Sequence, residues 1–123
     1  MDICVDFDGT CVTHEYPYIG KDIGAIPVLK KLVDAGHNLI IFTMRGDEYL
    51  LDAVNWFKKN NIPLYGINEN PTQNWTTSKK AYAQLYIDDA AIFAPLKEDK
   101  KLSNRLFIDW IIMENELKRL KLI

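Results

Sequence analysis

Four short runs of the chain are apolar at nearly every position rather than at alternate positions. The runs cover residues 3–7 (ICVDF), 38–42 (NLIIF), 64–67 (LYGI) and 85–87 (LYI). Runs of this kind are typical of strands that are buried on both faces, as in a parallel sheet. The pattern therefore predicts four strands in a mainly parallel sheet.

Apolar residues at helical spacing separate these strands. The repeated positions are Ile26, Leu29, Leu32 and Val33 in a first helix and Leu50, Val54 and Phe57 in a second. Gly36 is placed to end the first helix, and Asp47 is a predicted N-cap of the second. We expect a third, short helix over residues 76–83 and a loop over 90–101.

The tail over residues 103–122 has the pattern of an amphipathic helix. One stripe carries its large apolar side chains, which are Leu106, Trp110, Met113, Leu117 and Leu120. Two outcomes fit this stripe, namely packing on the sheet or a contact between two copies in a homodimer. Strands alternating with helices predict an α/β fold, a Rossmann-like three-layer sandwich.

Composition limits the classes of function. The 123 residues suit a single domain. The net charge of −2, with 26% charged residues of both signs, gives no basic stripe that would bind nucleic acid nonspecifically. A nucleic acid is therefore considered only as a substrate. Cys4 and Cys11 have no metal-site spacing. The N-terminus has acids where a signal peptide has basic residues, and no apolar run reaches membrane-spanning length. We expect a cytoplasmic protein.

Polar side chains follow three of the predicted strands, and the ends of parallel strands meet at one edge of a sheet. The residues gathered there are Asp6, Asp8, Thr43, Arg45, Asp88 and Asp89. Four carboxylates in one crevice require a cation, and an all-oxygen cluster without His or Cys favours Mg²⁺. The sequence therefore predicts a magnesium site at this edge.

Such a site suits phosphoryl transfer. One aspartate attacks phosphorus, and a second carboxyl two residues away protonates the leaving oxygen and then activates water. Gly9 allows a sharp turn beside the ligand, and Thr10 helps to hold the phosphate or the loop. Lys79 or Lys80 supplies positive charge. Thr43 adds a hydroxyl near a helix N-terminus.

The ordered motifs VDFDGT, IIFT, a lysine and YIDD resemble the four motifs of the haloacid dehalogenase-like (HAD) superfamily of aspartate-nucleophile phosphohydrolases, over roughly residues 2–90. The resemblance implies that Asp6 is the nucleophile and a Mg²⁺ ligand. It implies that Asp8 is the general acid/base and that its backbone carbonyl also ligates the metal. Asp89 would reach Mg²⁺, with Asp88 as a direct or indirect support.

The same resemblance implies that Thr43 binds phosphate and that Lys80, in KAYAQLYIDD, is preferred over Lys79. We expect these residues around the phosphate: Gly9, Thr10, Thr43, Met44, Arg45 and Lys80. Ala81, Gln84 and Ala90 depart from the residues usual in the superfamily, and none of them removes a catalytic group.

The spacing leaves no room for the cap domain that many HAD members carry. Residues 11–24 suffice for a small flap, and residues 44–79 are occupied by one helix, one strand and a loop. A capless site is open, which favours a phosphate on a large molecule or closure by another subunit. Nucleotides, polynucleotide ends, sugar phosphates and phosphoproteins all remain possible substrates.

Alternatives to a phosphatase are a carbon-halogen hydrolase, a phospho-acceptor domain of the response-regulator kind, and a catalytically weak HAD-like binding or regulatory domain. The acid at Asp8 counts against the first, and the position of the acidic pair after the last strand counts against the second. Arg45 is predicted either to contact substrate or to pair with Asp47 or Glu48. His14 and His37 are predicted to be surface residues.

Overall fold

The structure, a computed structural model, describes residues 1–123 and contains six strands and three helices. The strands are β1 (Asp2–Val5), β2 (Asn38–Ile41), β3 (Gly66–Ile67), β4 (Leu85–Ile87), β5 (Leu96–Lys97) and β6 (Phe107–Ile108). The helices are α1 (Ala25–Asp34), α2 (Asp47–Lys59) and α3 (Trp110–Arg119). The first four strands form one sheet, and β5 and β6 form a separate antiparallel pair.

The main sheet is parallel throughout and has the strand order β3-β2-β1-β4. Val5 of the central strand lies opposite Ile41 on one side and Ile87 on the other, so three strands end at the same level. The predicted α/β fold, a Rossmann-like sandwich without a large cap, is confirmed.

The main core lies on one face of this sheet. Side chains alternate along a strand, so Ile3 and Val5 point to the same face, where both are fully buried. They join a cluster of 19 buried residues that includes side chains from all three helices. Right-handed crossovers place α1 and α2 on this face, because β1, β2 and β3 follow one another in a single direction across the sheet.

The opposite face is covered by irregular chain rather than by a helix. Cys4 and Ile40 point to this side and pack with Ala81, which lies in the crossover from β3 to β4. The predicted helix over residues 76–83 is wrong. Its residues 76–80 are exposed, and the side chain of Gln73 binds the Tyr82 amide (2.7 Å) and the Lys80 carbonyl (3.0 Å), which fixes the segment as a loop.

The predicted start of the tail helix at residue 103 is also wrong. Phe107 and Ile108 pair with β5 instead, and α3 begins at Trp110. Asp109 caps the helix, since its side chain accepts hydrogen bonds from the amides of Ile111 (3.0 Å) and Ile112 (3.2 Å). This cap supplies a start signal that the apolar stripe does not contain.

The apolar stripe of the tail is only partly buried. Trp110 and Leu117 belong to the main core, which confirms that α3 packs on the body of the protein. Leu106 and Leu120 are exposed. The homodimer contact stays a prediction.

Two smaller boundaries differ from expectation. β3 has only two residues, and α2 begins at Asp47 itself, after Gly46, without a side-chain cap. The loop predicted over residues 90–101 contains β5. None of the three helices is long and apolar enough to span a membrane.

Candidate active site at the carboxyl edge of the sheet

Three carboxylates meet where β1 and β4 end. The amide of Asp6 donates to the Ile87 carbonyl at 2.9 Å, which keeps the end of β1 beside the end of β4. Asp6, Asp88 and Asp89 each place a carboxylate oxygen within 4.8 Å of the others. The expected meeting of acids from the first and last strands of the predicted sheet is therefore confirmed for these three residues.

A tight turn after β1 places Thr10 above Asp6. The Phe7 carbonyl accepts from the amides of Thr10 (3.1 Å) and Cys11 (2.8 Å), and Gly9 within the turn has φ +82°. The fully buried Thr10 hydroxyl lies 2.9 Å from Asp6 Oδ2 and 3.2 Å from Asp89 Oδ1. Thr10 thus connects the two acids, and its predicted role in holding the phosphate or the loop stays a prediction.

Like charge and burial dominate the electrostatics of this cluster. Burial raises the pKa of Asp6 from 3.8 to about 8, and the negative charge of Asp88 acts in the same direction. Three carboxylates with oxygen ligands only fit a hard divalent cation such as Mg²⁺, which would relieve their repulsion. Neither cysteine belongs to the group of potential ligands, although Cys11 Sγ donates to the backbone carbonyl of Asp6 (3.3 Å).

Asp8 lies outside this cluster. Its carboxylate accepts two parallel hydrogen bonds from Arg45, one from Nε (2.8 Å) and one from Nη2 (2.8 Å). The predicted partners of Arg45, Asp47 and Glu48, form no ion pair with it. The expectation that all four strand-end acids crowd around one cation is corrected, because Arg45 neutralises Asp8 separately.

Arg45 also holds the flap. Its remaining donors reach the carbonyls of Pro17 (3.2 Å), Tyr18 (2.7 Å) and Tyr49 (3.2 Å), and its side chain is only 1% exposed. The flap predicted over residues 11–24 is present, and a β-bridge between Val12 and Asp22 closes it. With every donor engaged, Arg45 has a structural contact in place of the predicted contact with phosphate.

The predicted phosphate-binding lysine does not lie with the acids. Lys80 Nζ is 5.4 Å from the centroid of the Tyr86 ring, a cation–π arrangement. Neither Lys79 nor Lys80 forms an ion pair. Both lysines are exposed in the irregular crossover, so the structure does not choose between them.

Thr43 and Met44 follow β2 at the same edge. The Thr43 amide donates to Asn68 Oδ1 (2.8 Å), and its hydroxyl accepts from the Arg45 amide (3.1 Å). Met44 is fully exposed. A polar cleft of about 420 Å³ begins at Asn68 and is lined by residues of the crossover, including both lysines.

Sequence reasoning missed His14. Its Nε2 atom lies 2.9 Å from Asp89 Oδ2, and its side chain is only 13% exposed, contrary to the predicted surface position. The two residues are 75 positions apart, so neither periodicity nor spacing signals the contact. His37 lies elsewhere and binds the N-terminal amine (2.9 Å) and the Leu122 carbonyl (2.9 Å).

The fold and the site together define an α/β protein with an acidic cluster at the carboxyl edge of its parallel sheet. A conserved protein from Bacteroides thetaiotaomicron has a similar structure, with a TM-score of 0.78 and 34% sequence identity. The match covers 97% of this chain and 90% of that protein. The chain belongs to the family of this conserved protein. No protein-family model matches the sequence, and no curated protein does either.

Proposed function

We propose that the protein is a Mg²⁺-dependent phosphohydrolase of the HAD type that acts on a phosphomonoester. The observation that carries the proposal is the convergence of Asp6, Asp88 and Asp89 to within 4.8 Å at the carboxyl edge. Ligands of open α/β sheets bind at this edge. The order of the motifs around these residues supports the same class of reaction.

The proposed metal ligands are Asp6, Asp88 and Asp89, together with the backbone carbonyl of Asp8. Mg²⁺, when bound, neutralises carboxylate and phosphate oxygens. An oxygen of Asp6 attacks phosphorus, the bond to the leaving oxygen breaks, and an aspartyl-phosphate forms. Water then attacks this phosphorus, which releases phosphate and restores Asp6.

Asp8 is the proposed proton carrier in both steps. It gives a proton to the leaving oxygen in the first step and takes one from water in the second. Arg45 donates one hydrogen bond to each of its oxygens at 2.8 Å, so Asp8 transfers protons through the lone pairs that the guanidinium leaves free. Thr43 and a lysine of the crossover are the proposed phosphate contacts.

The experiment is phosphate release from a panel of phosphomonoesters that includes nucleotides, sugar phosphates, phosphopeptides and oligonucleotides with 3′- or 5′-phosphates. Each substrate is tested with Mg²⁺ and with EDTA. We expect Mg²⁺-dependent release that Asp6→Asn abolishes and that Asp8→Asn lowers by about 10²- to 10⁴-fold. Asp34→Asn, at an exposed position of α1, is the matched control.

A second candidate function is a domain that binds metal or phosphate without turnover. Two observations favour it, namely the engagement of Asp8 by Arg45 and the position of Lys80 on the Tyr86 ring. Mg²⁺ binding by a folded protein that releases no phosphate from any substrate would support this candidate over the phosphatase.

A cytoplasmic location belongs to the same proposal. Cys4 and Cys11 are both free, which suits a reducing compartment.

A further inference from the structure

The side chain of His14 occupies a defined position beside the acidic cluster. It lies in the flap, where Tyr16 is 58% and Tyr18 is 77% exposed, yet only 13% of its own side chain is accessible. The imidazole Nε2 atom lies 2.9 Å from Asp89 Oδ2. The ring is therefore directed toward the site, whereas Tyr16 and Tyr18 of the same segment are exposed.

Gly9 allows the imidazole of His14 to occupy this position. A Cβ atom at position 9 would overlap the imidazole of His14 and would also crowd Asp89 Oδ2. The absence of a side chain there lets the ring approach the turn that follows β1. The contact between His14 and Asp89 thus depends on Gly9 in the turn as well as on His14 in the flap.

The contact fixes one carboxylate of the cluster from both sides. Asp89 Oδ1 faces the Thr10 hydroxyl at 3.2 Å, and Asp89 Oδ2 faces His14. Asp88, in contrast, has one local hydrogen bond, from the Ala90 amide to Oδ1 (2.8 Å). A carboxylate that binds a metal is ionised and only accepts hydrogen bonds, so in the metal-bound site His14 would be the donor in this pair. Lone pairs of Asp89 remain for a cation.

We infer that His14 is a positioning residue that orients Asp89 for metal binding. The inference rests on the proposed function, since it concerns the same cluster. Histidine or carboxylate partners of metal ligands hold those ligands in one orientation, which lowers the reorganisation that binding requires. Here the partner and the ligand lie on different parts of the chain, so the flap is coupled to the metal site through one hydrogen bond.

Two substitutions at His14 distinguish the role of its hydrogen-bond donor from the role of its ring. His14→Phe keeps a ring over Gly9 and removes the donor, whereas His14→Gln keeps a donor and removes the ring. His37→Gln is the control, because it makes the same replacement at a histidine that binds the chain ends. Mg²⁺ affinity is measured by calorimetry on each full-length protein, with circular dichroism to verify folding, and kcat and KM are measured on the best substrate.

We expect His14→Phe to weaken Mg²⁺ binding by about 10- to 100-fold. His14→Gln should recover most of the affinity, and His37→Gln should match wild type. At saturating Mg²⁺, the kcat of His14→Phe should return toward the wild-type value with KM unchanged. If His14→Phe does not fold, His14→Leu replaces it as the variant without a donor.

Unchanged Mg²⁺ affinity in a folded variant without the donor would overturn the inference and leave the proposed function standing. Tighter binding would overturn it as well, since His14 would then compete with the metal. Wild-type protein that neither binds Mg²⁺ nor releases phosphate would overturn the proposed function and the inference together.

Discussion

Asp8 and Arg45 form a bidentate ion pair that joins the turn after β1 to the start of the segment after β2. Both hydrogen bonds measure 2.8 Å, and the arginine side chain is 1% exposed while that of Asp8 is 18% exposed. Arg45 also binds two carbonyls of the flap. The pair therefore sets the position of the flap and the direction of the proposed proton carrier at once.

Removal of the guanidinium should destabilise the fold strongly. Arg45→Met leaves the Asp8 carboxylate partly buried without its partner, and we expect the free energy of unfolding to fall by about 3–5 kcal/mol. Urea denaturation measures the change. Arg119→Met removes an exposed arginine that pairs with Glu116 and should have little effect. A similar loss in the two variants would contradict the structural role of Arg45.

Asp6 should make the stability of the metal-free protein depend on pH. Its folded-state pKa of about 8 lies above the unfolded value of 3.8, so the folded protein binds the extra proton between these values. The contribution of Asp6 to the free energy of unfolding is fully present below pH 4 and is lost as the pH rises toward 8. In EDTA, the stability of Asp6→Asn relative to wild type should therefore rise with pH over this window.

Denaturation at several pH values between 4 and 8 tests this dependence. Asp34→Asn serves as the control, because Asp34 is exposed on α1. A constant difference between wild type and Asp6→Asn across the window would show that the carboxyl of Asp6 titrates normally. Saturating Mg²⁺ should remove the loss of stability near pH 8, since a cation favours the ionised carboxylate.

Gly9→Ala should disturb both the turn after β1 and the position of the His14 side chain. Gly9 and Gly36 share a positive φ, at +82° and +92°, but a Cβ meets nothing within 4 Å at Gly36. Gly36→Ala should therefore cost only the left-handed backbone strain, about 1–2 kcal/mol. Gly9→Ala should cost more and should also weaken Mg²⁺ binding. Thermal denaturation and calorimetry measure the two effects, and equal losses in the two variants would refute the overlap with His14.

Trp110 links α3 to the turn that carries Thr10. Its indole nitrogen donates to the Thr10 carbonyl at 2.7 Å in a buried position. Trp110→Phe leaves this carbonyl without that donor, and we expect a loss of about 1–3 kcal/mol. Trp75→Phe, at a side chain that is 61% exposed, should change stability little in the same denaturation assay. A neutral Trp110→Phe would mean that water replaces the indole.

Patterns in the sequence predicted the elements that bury a regular apolar stripe or run. β1, β2, α1 and α2 fall in this class, because the strands bury continuous apolar runs and the helices bury apolar residues at helical spacing. The crossover to β4 and the first part of the tail have no such constraint. Side-chain bonds of Gln73 and strand pairing of Phe107 decide their conformations.

The candidate site divides in the same way. Asp6, Asp88 and Asp89 were predictable, since parallel strands bring their ends together. The partners of Asp8 and Asp89 were not predictable, because Arg45 and His14 lie in irregular segments, where no strand or helix fixes the direction of a side chain. Such contacts depend on how loops fold over the edge of the sheet, and no local sequence pattern predicts this loop conformation.

The crossover without a helix divides the protein into parts of unequal cooperativity. The face of the sheet toward the helices carries 19 clustered buried residues, whereas the other face carries Cys4, Ile40 and Ala81. Regions with few buried apolar contacts open locally at low free energy, so amide protons of the crossover should exchange long before those of β1. Both lysines are carried by the part that opens first. If one of these lysines contacts the phosphate as proposed, anion affinity at the carboxyl edge depends on the conformation of the crossover, and a substitution at Ala81 would change that affinity without touching any ligand.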